Sequence, residues 1–383
     1  MNLSTQLRLS SKLRVLTRLQ PIISICAGMI KNIEEVSCAF LHNVDLICFS
    51  HLRWGFVFQR PQHLLTRFSK HQRVFYIEEP IFGEEEKLQV ERTNNIYVVT
   101  PFLKHDLTES QVTNHQKTML DGLMAKMKVA RYFCWYYTPM ALPLGEKLSP
   151  ELVIYDCMDE LSAFKFAPPE LTSREKELFK KADLVFTGGL SIYESKQNEH
   201  HNIHPFPSSI DKSHFGKSRT IRKQPEDQKN IPSPRFGFFG VVDERFDIDL
   251  LSEVAKRKPE WQFVILGPVV KIDPAILPQW KNIHYLGGKK YEELPRYIAS
   301  WDVALVPFAM NESTRFISPT KTPEYLAAGK PVISSAIKDV VRPYGENKLV
   351  HIVCNADEFI KAGEKELRKK SRGKWLKKVD HFL

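Results

Sequence analysis

Short apolar stretches alternate with amphipathic ones from about residue 43 onward. The apolar stretches predict buried strands at VDLICFS, RVFYIEEP, NIYVVTP, RYFCWYY, LVIYDCMDE and ADLVFTGG. Between them, QRPQHLLTRFSK and the stretch from about Leu107 to Lys128 have the spacing of helices. Strands that alternate with crossover helices form a parallel sheet with both faces covered, so residues 41–210 predict an α/β domain.

The pattern changes in residues 211–233, which are polar, contain proline and predict an interdomain linker. The alternation restarts in residues 234–350, which predict a second α/β domain. Its strands are predicted at RFGFFGV, WQFVILGP, NIHYLGG, WDVALVPF and PVISS, and its helices at DIDLLSEVAKRK and YEELPRYIA. Residues 351–383 predict a final strand and a basic helix that could cross back to the first domain. Ligands of such sheets bind outside the carboxyl ends of the strands, so facing domains predict a cleft.

The formal charge of +10 is concentrated at the two ends of the chain. Residues 1–40 hold five Lys/Arg against two Glu, and residues 361–383 hold nine Lys/Arg against three acids. The part of the chain between these ends is nearly neutral, which argues against a protein that binds nucleic acid along its main surface. The basic ends would suit an anionic membrane surface, and solvated termini are the alternative. The basic extension of residues 1–40 fits a transit peptide, an interfacial helix or an artefactual extension equally well.

Cysteine and histidine spacing predicts neither a disulfide framework nor a metal site. The scattered cysteines contain no CxxC pair, which indicates reduced thiols in a cytoplasmic protein, at most attached to the inner face of the membrane. They are Cys26, Cys38, Cys48, Cys134, Cys157 and Cys354. His200, His201 and His204 lack the cysteine or acidic partners of a metal site, and no cofactor is predicted.

Glycines in RFGFFGVVDERFDIDLL give the first indication of a binding site. Gly237 lies in a predicted strand and Gly240 at its exit. A glycine there lets a phosphate approach the backbone, and the next helix would offer unpaired N–H groups. A glycine at the end of a strand is more often only a tight turn, so both interpretations stay open.

The stretch SPTKTPEYLAAGKPVIS predicts a short helix that carries charged groups. Ser318 suits the N-cap, Pro319 the first helical position and Gly329 the end. Lys321 and Glu324 would share one face, where a diphosphate could contact Lys321 and ribose hydroxyls could donate to Glu324. The alternative is an exposed ion pair worth a few tenths of a kcal/mol. Spacing alone leaves these two interpretations balanced.

Several motifs together resemble nucleotide-sugar glycosyltransferases of the GT-B fold, in the group 1 family. The resemblance is to the branch that acts in teichuronic acid biosynthesis, and it runs from about Asp45 to Tyr344. It rests on HLRWGFVFQRPQHLLTRFSK, YDCMDELSAF, GFFGVVDERFDIDLL, FVILGPVV, NIHYLGGKKYEELPRYI and PFAMNESTRFISPTKTPEYLAAGKPV. It implies an α/β architecture of two Rossmann-like parallel-sheet domains that face a central cleft.

The resemblance also implies a donor site. Glu324 would bind the ribose, Lys321 the diphosphate, and Gly240 would let the phosphates lie against the first loop of the second domain. The turn at Leu286 and Gly287 would meet the base through backbone groups. The implied donor-binding residues are Gly240, Val241, Leu286, Gly287, Arg315, Ser318, Thr320, Lys321 and Glu324.

The chain departs from the family pattern at three positions. Phe316 stands eight positions before Glu324, where many members carry a second glutamate, and Glu312 is the nearest acidic residue. Val241 and Phe246 replace the arginine and lysine that commonly follow the first glycine of the second domain.

Other cations are expected to replace these lost charges. Arg245, Arg315 and Lys321 would supply positive charge to the leaving diphosphate, and Arg245 and Lys321 are the predicted catalytic cations. The implied reaction is a retaining, metal-independent hexosyl transfer, with uridine as the default base, in cell-surface polysaccharide synthesis. The DID sequence at residues 247–249 is interpreted as charge at a helix start rather than as a metal motif.

The acceptor is expected at strand ends of the first domain. His51, Arg53, Trp54 and Gln59 follow the first strand, where Trp can stack on a sugar and Arg can bind a phosphate. The acceptor would be a hydroxyl of a glycan or of a lipid-linked glycan. Simple packing of Trp54 is the alternative.

Two carboxylates close another strand of the first domain. Asp156 or Asp159 could orient or deprotonate the acceptor hydroxyl, although aspartate is also a common loop residue.

Two other functions remain open from the sequence. An inactive nucleotide-sugar-binding scaffold or regulator is consistent with the departures from the family, and a phosphorylase or epimerase of the same fold is not excluded. A nucleotide-cofactor oxidoreductase is disfavoured, because LICFSHLRWG lacks a glycine fingerprint.

Overall fold

The computed structural model describes residues 44–383, which form two compact units, each built around its own sheet. The first unit contains the described residues up to Cys157, together with Pro169–Thr187 and Gln197–Phe206. The second contains Met158–Pro168, Gly188–Lys196 and Pro207–Leu383. The predicted extension of residues 1–40, with Cys26 and Cys38, lies outside the described residues.

The first unit is built on a largely parallel sheet. Its strands are β1 (Asp45–Ser50), β2 (Val74–Glu78), β3 (Ile81–Gly83), β4 (Lys87–Thr93), β5 (Ile96–Lys104), β6 (Tyr132–Tyr136), β7 (Leu152–Cys157), β8 (Leu184–Thr187) and β9 (Ile203–Pro205). Within residues 44–383 their order is β3-β5-β2-β1-β6-β7-β8-β9, and β4 pairs antiparallel with β5. Its helices are α1 (Arg60–Phe68), α2 (Glu109–Lys126) and α3 (Leu171–Lys181). The strands predicted from apolar runs are therefore confirmed.

The second unit repeats this architecture with a parallel sheet. Its strands are β10 (Arg235–Phe239), β11 (Gln262–Leu266), β12 (Ile283–Tyr285), β13 (Val303–Val306), β14 (Val332–Ser335) and β15 (His351–Val353), in the order β12-β11-β10-β13-β14-β15. Its helices are α4 (Leu190–Lys196), α5 (Lys212–Gly216), α6 (Ile248–Arg257), α7 (Leu294–Ala299), α8 (Lys321–Ala327), α9 (Lys338–Val340), α10 (Ala356–Leu367) and α11 (Gly373–Phe382). Its short 3₁₀ turns are Leu161–Ala163, Lys217–Arg219, Pro274–Ile276, Tyr291–Glu293 and Glu312–Thr314, and the first unit has one at Pro139–Gly145.

Aromatic packing explains one of the two glycines in the first motif of the second unit. A Cβ on Gly237 would lie 2.0 Å from the indole of Trp301, so this glycine makes room for a core side chain. Trp301 and Phe236 are both buried, and Phe236 stacks on Trp261 with ring centroids 4.4 Å apart. Gly237 therefore serves packing, and only Gly240 remains as a candidate for phosphate contact.

Several segments differ from the predicted domain boundaries. Met158–Pro168 and Gly188–Lys196 were predicted in the first domain but belong to the second unit. The start of the predicted linker is helical, because the Phe215 side chain is fully buried in the second unit and stacks on Phe239, with ring centroids 6.0 Å apart. The C-terminal segment belongs to the second unit rather than crossing back, because buried Phe359 packs on Phe236 and Val379 is fully buried in the same core. Across residues 44–383, every helix is too short or too polar to cross a membrane.

Candidate functional site

Neighbouring strands of the second unit are followed by glycines, which carry no side chains at this edge of the sheet. Gly240 follows β10 and donates its N–H to the Leu266 carbonyl at 2.8 Å, while the Gly267 N–H donates to the Gly287 carbonyl at 2.9 Å. Gly240 has φ +140° and Gly267 has φ +143°, both in a region that disfavours side chains. A Cβ on Gly267 would lie 1.8 Å from the Gly240 carbonyl oxygen. Close stacking of these turns therefore leaves no room for side chains on the two glycines themselves.

The Lys321 ammonium lies directly against Gly240. A Cβ at Gly240 would lie 2.2 Å from Lys321 Cε and 2.7 Å from its Nζ. The Nζ is 5.7 Å from the ring centroids of both Phe238 and Phe308, which are buried. Burial lowers the pKa of Lys321 to about 8, although the negative charge of Glu324 opposes this shift. A cation held among aromatic rings beside bare backbone is suited to an anionic ligand.

Glu324 lies one turn further along α8 and points a carboxylate into the interior. The residue is 6% exposed, and within residues 44–383 its Oε2 atom is buried with no hydrogen-bond partner. Burial raises the pKa of Glu324 to about 7, against the opposing effect of Lys321. A buried carboxylate without a donor is costly, and unpaired buried groups of this kind call for a functional explanation. Hydroxyl donors from a ligand would satisfy it.

Arg245 is fixed beside Lys321 by a buried aspartate. Its Nε and Nη2 donate to the Asp243 carboxylate at 2.6–3.1 Å, and Asp243 is 3% exposed. Burial lowers the pKa of Arg245, but the Asp243 carboxylate more than offsets this and raises it. The positive charge of Arg245 also acts on Lys321. Asp243 therefore holds Arg245 in place as a second cation beside Lys321.

Asp159 joins this cluster although it follows β7 in the chain. It lies in the segment Met158–Pro168, which belongs to the second unit. Its negative charge acts on both Arg245 and Lys321. The site therefore combines two cations, an unsatisfied carboxylate in Glu324, a further carboxylate in Asp159 and the open backbone at Gly240.

Residues 233–368, which contain four of these groups, match the family of glycosyl transferases group 1. The match assigns this part of the second unit to the group 1 glycosyltransferases. The chain is 24% identical over 275 residues to TuaH of Bacillus subtilis (strain 168), a protein named as a glycosyltransferase of teichuronic acid biosynthesis. That alignment covers 65% of this chain and 67% of TuaH.

Solved structures share the fold at low sequence identity. An E. coli trehalose-6-phosphate structure bound with UDP-2-fluoro glucose has a TM-score of 0.63 and 13% identity, and covers 88% of this chain and 94% of that one. A trehalose-phosphate synthase (UDP-forming) from Burkholderia xenovorans, in complex with glucose-6-phosphate, has a TM-score of 0.64 and 10% identity, and covers 88% and 95%. The predicted GT-B class, with two parallel-sheet α/β domains, is confirmed.

The helix that carries Lys321 and Glu324 begins later than predicted. Its helix α8 starts at Lys321, and Thr320 rather than Ser318 occupies the N-cap, without a side-chain capping bond. Pro323 has no N–H, so the bond that would extend the helix back to Pro319 has no donor. The first such bond runs instead from the Glu324 N–H to the Thr320 carbonyl, at 3.1 Å. The prediction that Ser318 caps the helix is therefore wrong, although the spacing of Lys321 and Glu324 is kept.

The other residues predicted to bind the donor differ in their surroundings. Val241 and Thr320 adjoin Gly240 and Lys321 in the chain, whereas Ser318 lies against Gly189, where an added Cβ would be 2.8 Å from the Ser318 Cβ. Arg315 contacts Glu312 and Phe316, which belong to its own loop.

Local contacts are made by the turn at Leu286 and Gly287 and by Arg315. The Leu286 N–H and the Gly287 carbonyl bond to neighbouring strand ends, while the Cβ side of Gly287 faces open space. Arg315 is exposed, 3.6 Å from Glu312, with its guanidinium over the Phe316 ring. The role predicted for these residues stays a prediction.

The structure places Asp156 in an internal ion pair of the first unit. Asp156 is fully buried, and Arg60 donates to both its oxygens at 2.8–3.1 Å. Burial raises the pKa of Asp156, while Arg60 opposes the shift. A carboxylate enclosed in this way cannot reach a substrate hydroxyl, so we assign Asp156 to the fold. Asp159 is the better of the two catalytic candidates.

The predicted acceptor residues form the loop after β1. Arg53 Nη1 donates to Glu78 at 3.0 Å and to the Glu79 carbonyl at 2.6 Å. Trp54 packs edge-on against Tyr76, with ring centroids 5.0 Å apart. Gln59 occupies the N-cap of α1, and His51 is partly buried. These contacts fix the loop, and an acceptor role for it stays a prediction.

Sequence reasoning missed the residues that support the cluster. Asp243 was not singled out, although its spacing of two from Arg245 is visible in the VVDER sequence. The contact of Phe238 and Phe308 with Lys321 has no local signal, because Phe238 lies in β10 and Phe308 follows β13, far apart in the chain. Within residues 44–383, His, Cys, Asp and Glu side chains form no group of three or more arranged for a metal ion.

Proposed function

We propose that this glycosyltransferase transfers a sugar from a nucleoside diphosphate sugar to a hydroxyl of a glycan or lipid-linked acceptor in cell-surface polysaccharide synthesis. The observation that carries the proposal is the buried Oε2 of Glu324, which has no donor within residues 44–383, one turn from the Lys321 ammonium at Gly240. Ribose hydroxyls would donate to Glu324, and the diphosphate would lie against Gly240. UDP is the proposed nucleotide, supported by the UDP sugar in one structural neighbour.

The site must stabilise the negative charge that develops on the leaving diphosphate. As the glycosidic bond breaks, negative charge grows on the diphosphate oxygens, and fixed positive groups lower the barrier. Lys321 is placed to donate to these oxygens from its position at Gly240, and Arg245 adds a second charge that Asp243 holds in place. In the proposal these side chains supply the positive charge without a metal ion.

The acceptor hydroxyl requires a group that orients it or takes its proton. We assign this role to Asp159, whose charge acts on both Arg245 and Lys321. In the proposal, this carboxylate accepts a proton from an acceptor hydroxyl in hydrogen-bond reach. Retention of anomeric configuration and a role in polysaccharide synthesis follow the family resemblance and the name of TuaH.

Incubation with a panel of nucleotide sugars tests the proposal. We expect release of UDP from at least one UDP sugar, faster in the presence of a glycan or lipid-linked acceptor, with the Glu324→Gln protein as the background control. Release from none of the UDP, GDP, ADP or dTDP sugars, with acceptors present, would contradict the proposal. Binding without any release would indicate the nucleotide-sugar-binding scaffold instead.

The pH dependence of kcat/KM for the donor should be bell-shaped. Below the raised pKa of Glu324, about 7, its carboxyl is protonated and accepts ribose hydroxyls poorly. Above the lowered pKa of Lys321, about 8, its amine is neutral and attracts the diphosphate less. Initial rates from about pH 6 to about pH 9 should therefore peak between these values.

A matched variant tests the alkaline limb of that profile. Lys321→Arg keeps a charge throughout this range, so its activity should not fall above the peak. A wild-type profile that is flat through neutral pH would contradict the assignment of the two groups.

A further inference from the structure

Phe164 contacts the cation cluster through its aromatic ring. The Arg245 guanidinium carbon lies 5.5 Å from the ring centroid, and the Lys271 ammonium lies 5.2 Å from it. Phe164 is only partly buried and does not belong to the apolar core of the second unit. Cations within about 6 Å of a ring are attracted by the negative charge of its faces. Two positively charged side chains therefore lie over this ring.

The segment that carries Phe164 also carries Asp159. Residues Met158–Pro168 belong to the second unit. A second contact lies beside Phe164, because the Ser313 hydroxyl donates to the Ala163 carbonyl at 3.0 Å. Contacts at two adjacent residues thus attach this segment to the unit that holds Lys321 and Arg245.

Lys271 supports the ring contact from a backbone conformation that is uncommon for its residue type. Its φ of +62° lies in the left-handed region, which lysine seldom adopts. Such conformations are kept where the surroundings or the function require them. The Lys271 residue is exposed, and its ammonium lies over Phe164.

We propose that Phe164 is a positioning residue that holds the Asp159 segment on the donor site through cation–π contacts with Arg245 and Lys271. The inference rests on the proposed function, because it assigns Asp159 and Arg245 their roles in sugar transfer. Loss of the ring would free both the segment and one face of the Arg245 guanidinium. Nucleotide contacts at Glu324 and Gly240 would remain, so the effect should fall on turnover rather than on donor binding.

Phe164→Leu and Phe164→Trp separate this role from simple packing. Leucine keeps an apolar side chain but removes the ring, and we expect kcat to fall about 10- to 100-fold with donor KM little changed, as for small misplacements of catalytic groups. Tryptophan, the strongest cation–π partner, should restore most of kcat. The matched control is Phe166→Leu, in the same segment, where the phenylalanine is 77% exposed and kcat should equal wild type.

Hydrogen exchange keeps the inference testable without turnover. In Phe164→Leu, amides of residues 158–168 should exchange faster than in wild type or Phe166→Leu, while β10 and β11 stay protected. Unchanged kcat and unchanged exchange in Phe164→Leu would overturn the inference, as would a Phe164→Trp protein as impaired as Phe164→Leu. A wild-type protein that releases no nucleotide from any nucleotide sugar would contradict the proposed function instead. In that case, hydrogen exchange at residues 158–168 alone tests whether Phe164 holds this segment in place.

Discussion

Replacement of Glu324 by glutamine should weaken UDP binding about 10- to 100-fold, because each hydrogen bond to a charged group contributes about 1.5–3 kcal/mol. Glutamine keeps the size of the side chain but removes the charge and one of the acceptor oxygens. Glu324 is 6% exposed, and its Oε2 has no donor within residues 44–383, so a ligand is the expected source of its hydrogen bonds. Titration calorimetry with UDP, at a pH near 8 where the wild-type carboxyl is largely ionised, measures the change.

The fold should tolerate this substitution. The raised pKa means that Glu324 favours folding when protonated, and that this contribution is lost as the pH rises through about 7. At pH 8 a neutral amide therefore should not lower the thermal midpoint.

Glu346→Gln is the matched control for Glu324→Gln. Glu346 is exposed and lies in the same unit, so the UDP affinity of this variant should equal that of the wild type. Full affinity in a folded Glu324→Gln protein would show that the nucleotide binds elsewhere.

Replacement of Lys321 by methionine should reduce kcat about 100- to 1,000-fold, as expected when one fixed group that stabilises transition-state charge is removed. Methionine keeps an unbranched apolar stem beside Phe238 and Phe308 but leaves no ammonium at Gly240. The loss should exceed the effect on donor KM, because charge on the diphosphate grows as the glycosidic bond breaks. Steady-state rates of UDP release at saturating donor measure it.

Lys281→Met provides the control for a lost surface charge. Lys281 is exposed in the same unit, and its removal should leave kcat unchanged. A Lys321→Met protein with wild-type kcat and raised KM would indicate that Lys321 only binds the donor. Wild-type values for both would remove Lys321 from the site.

The order of strands and helices could be predicted well from the sequence. Apolar runs such as those of β1 and β10 are buried because both faces of a parallel sheet are covered, and that signal is local. Strands β3, β4 and β9 were missed. The residues of β3 and β4 are largely exposed, and β9 has only three residues. The start of α8 was misplaced because Pro323 removes a backbone donor that the capping pattern alone does not take into account.

The candidate site was predictable in part. Lys321, Glu324 and Gly240 follow from motif resemblance, and the structure brings Lys321 against Gly240. From the sequence, Asp156 and Asp159 were nearly equal candidates for the group that orients or deprotonates the acceptor hydroxyl. Only their surroundings in the structure distinguish them. The partner of Asp156 is Arg60, 96 positions away, and no local pattern reveals such a pair.

The sequence by itself determined two α/β sheets, the strand-end glycine at Gly240 and the spacing of Lys321 and Glu324, because periodicity, glycine placement and helix spacing act between near neighbours in the chain. Only the tertiary structure decided which charged groups share an environment. It enclosed Asp156 with Arg60, placed Asp159 in the second unit and set Phe164 against Arg245 and Lys271. The physical reason is that burial and charge–charge interaction depend on distance in space, which chain separation does not fix.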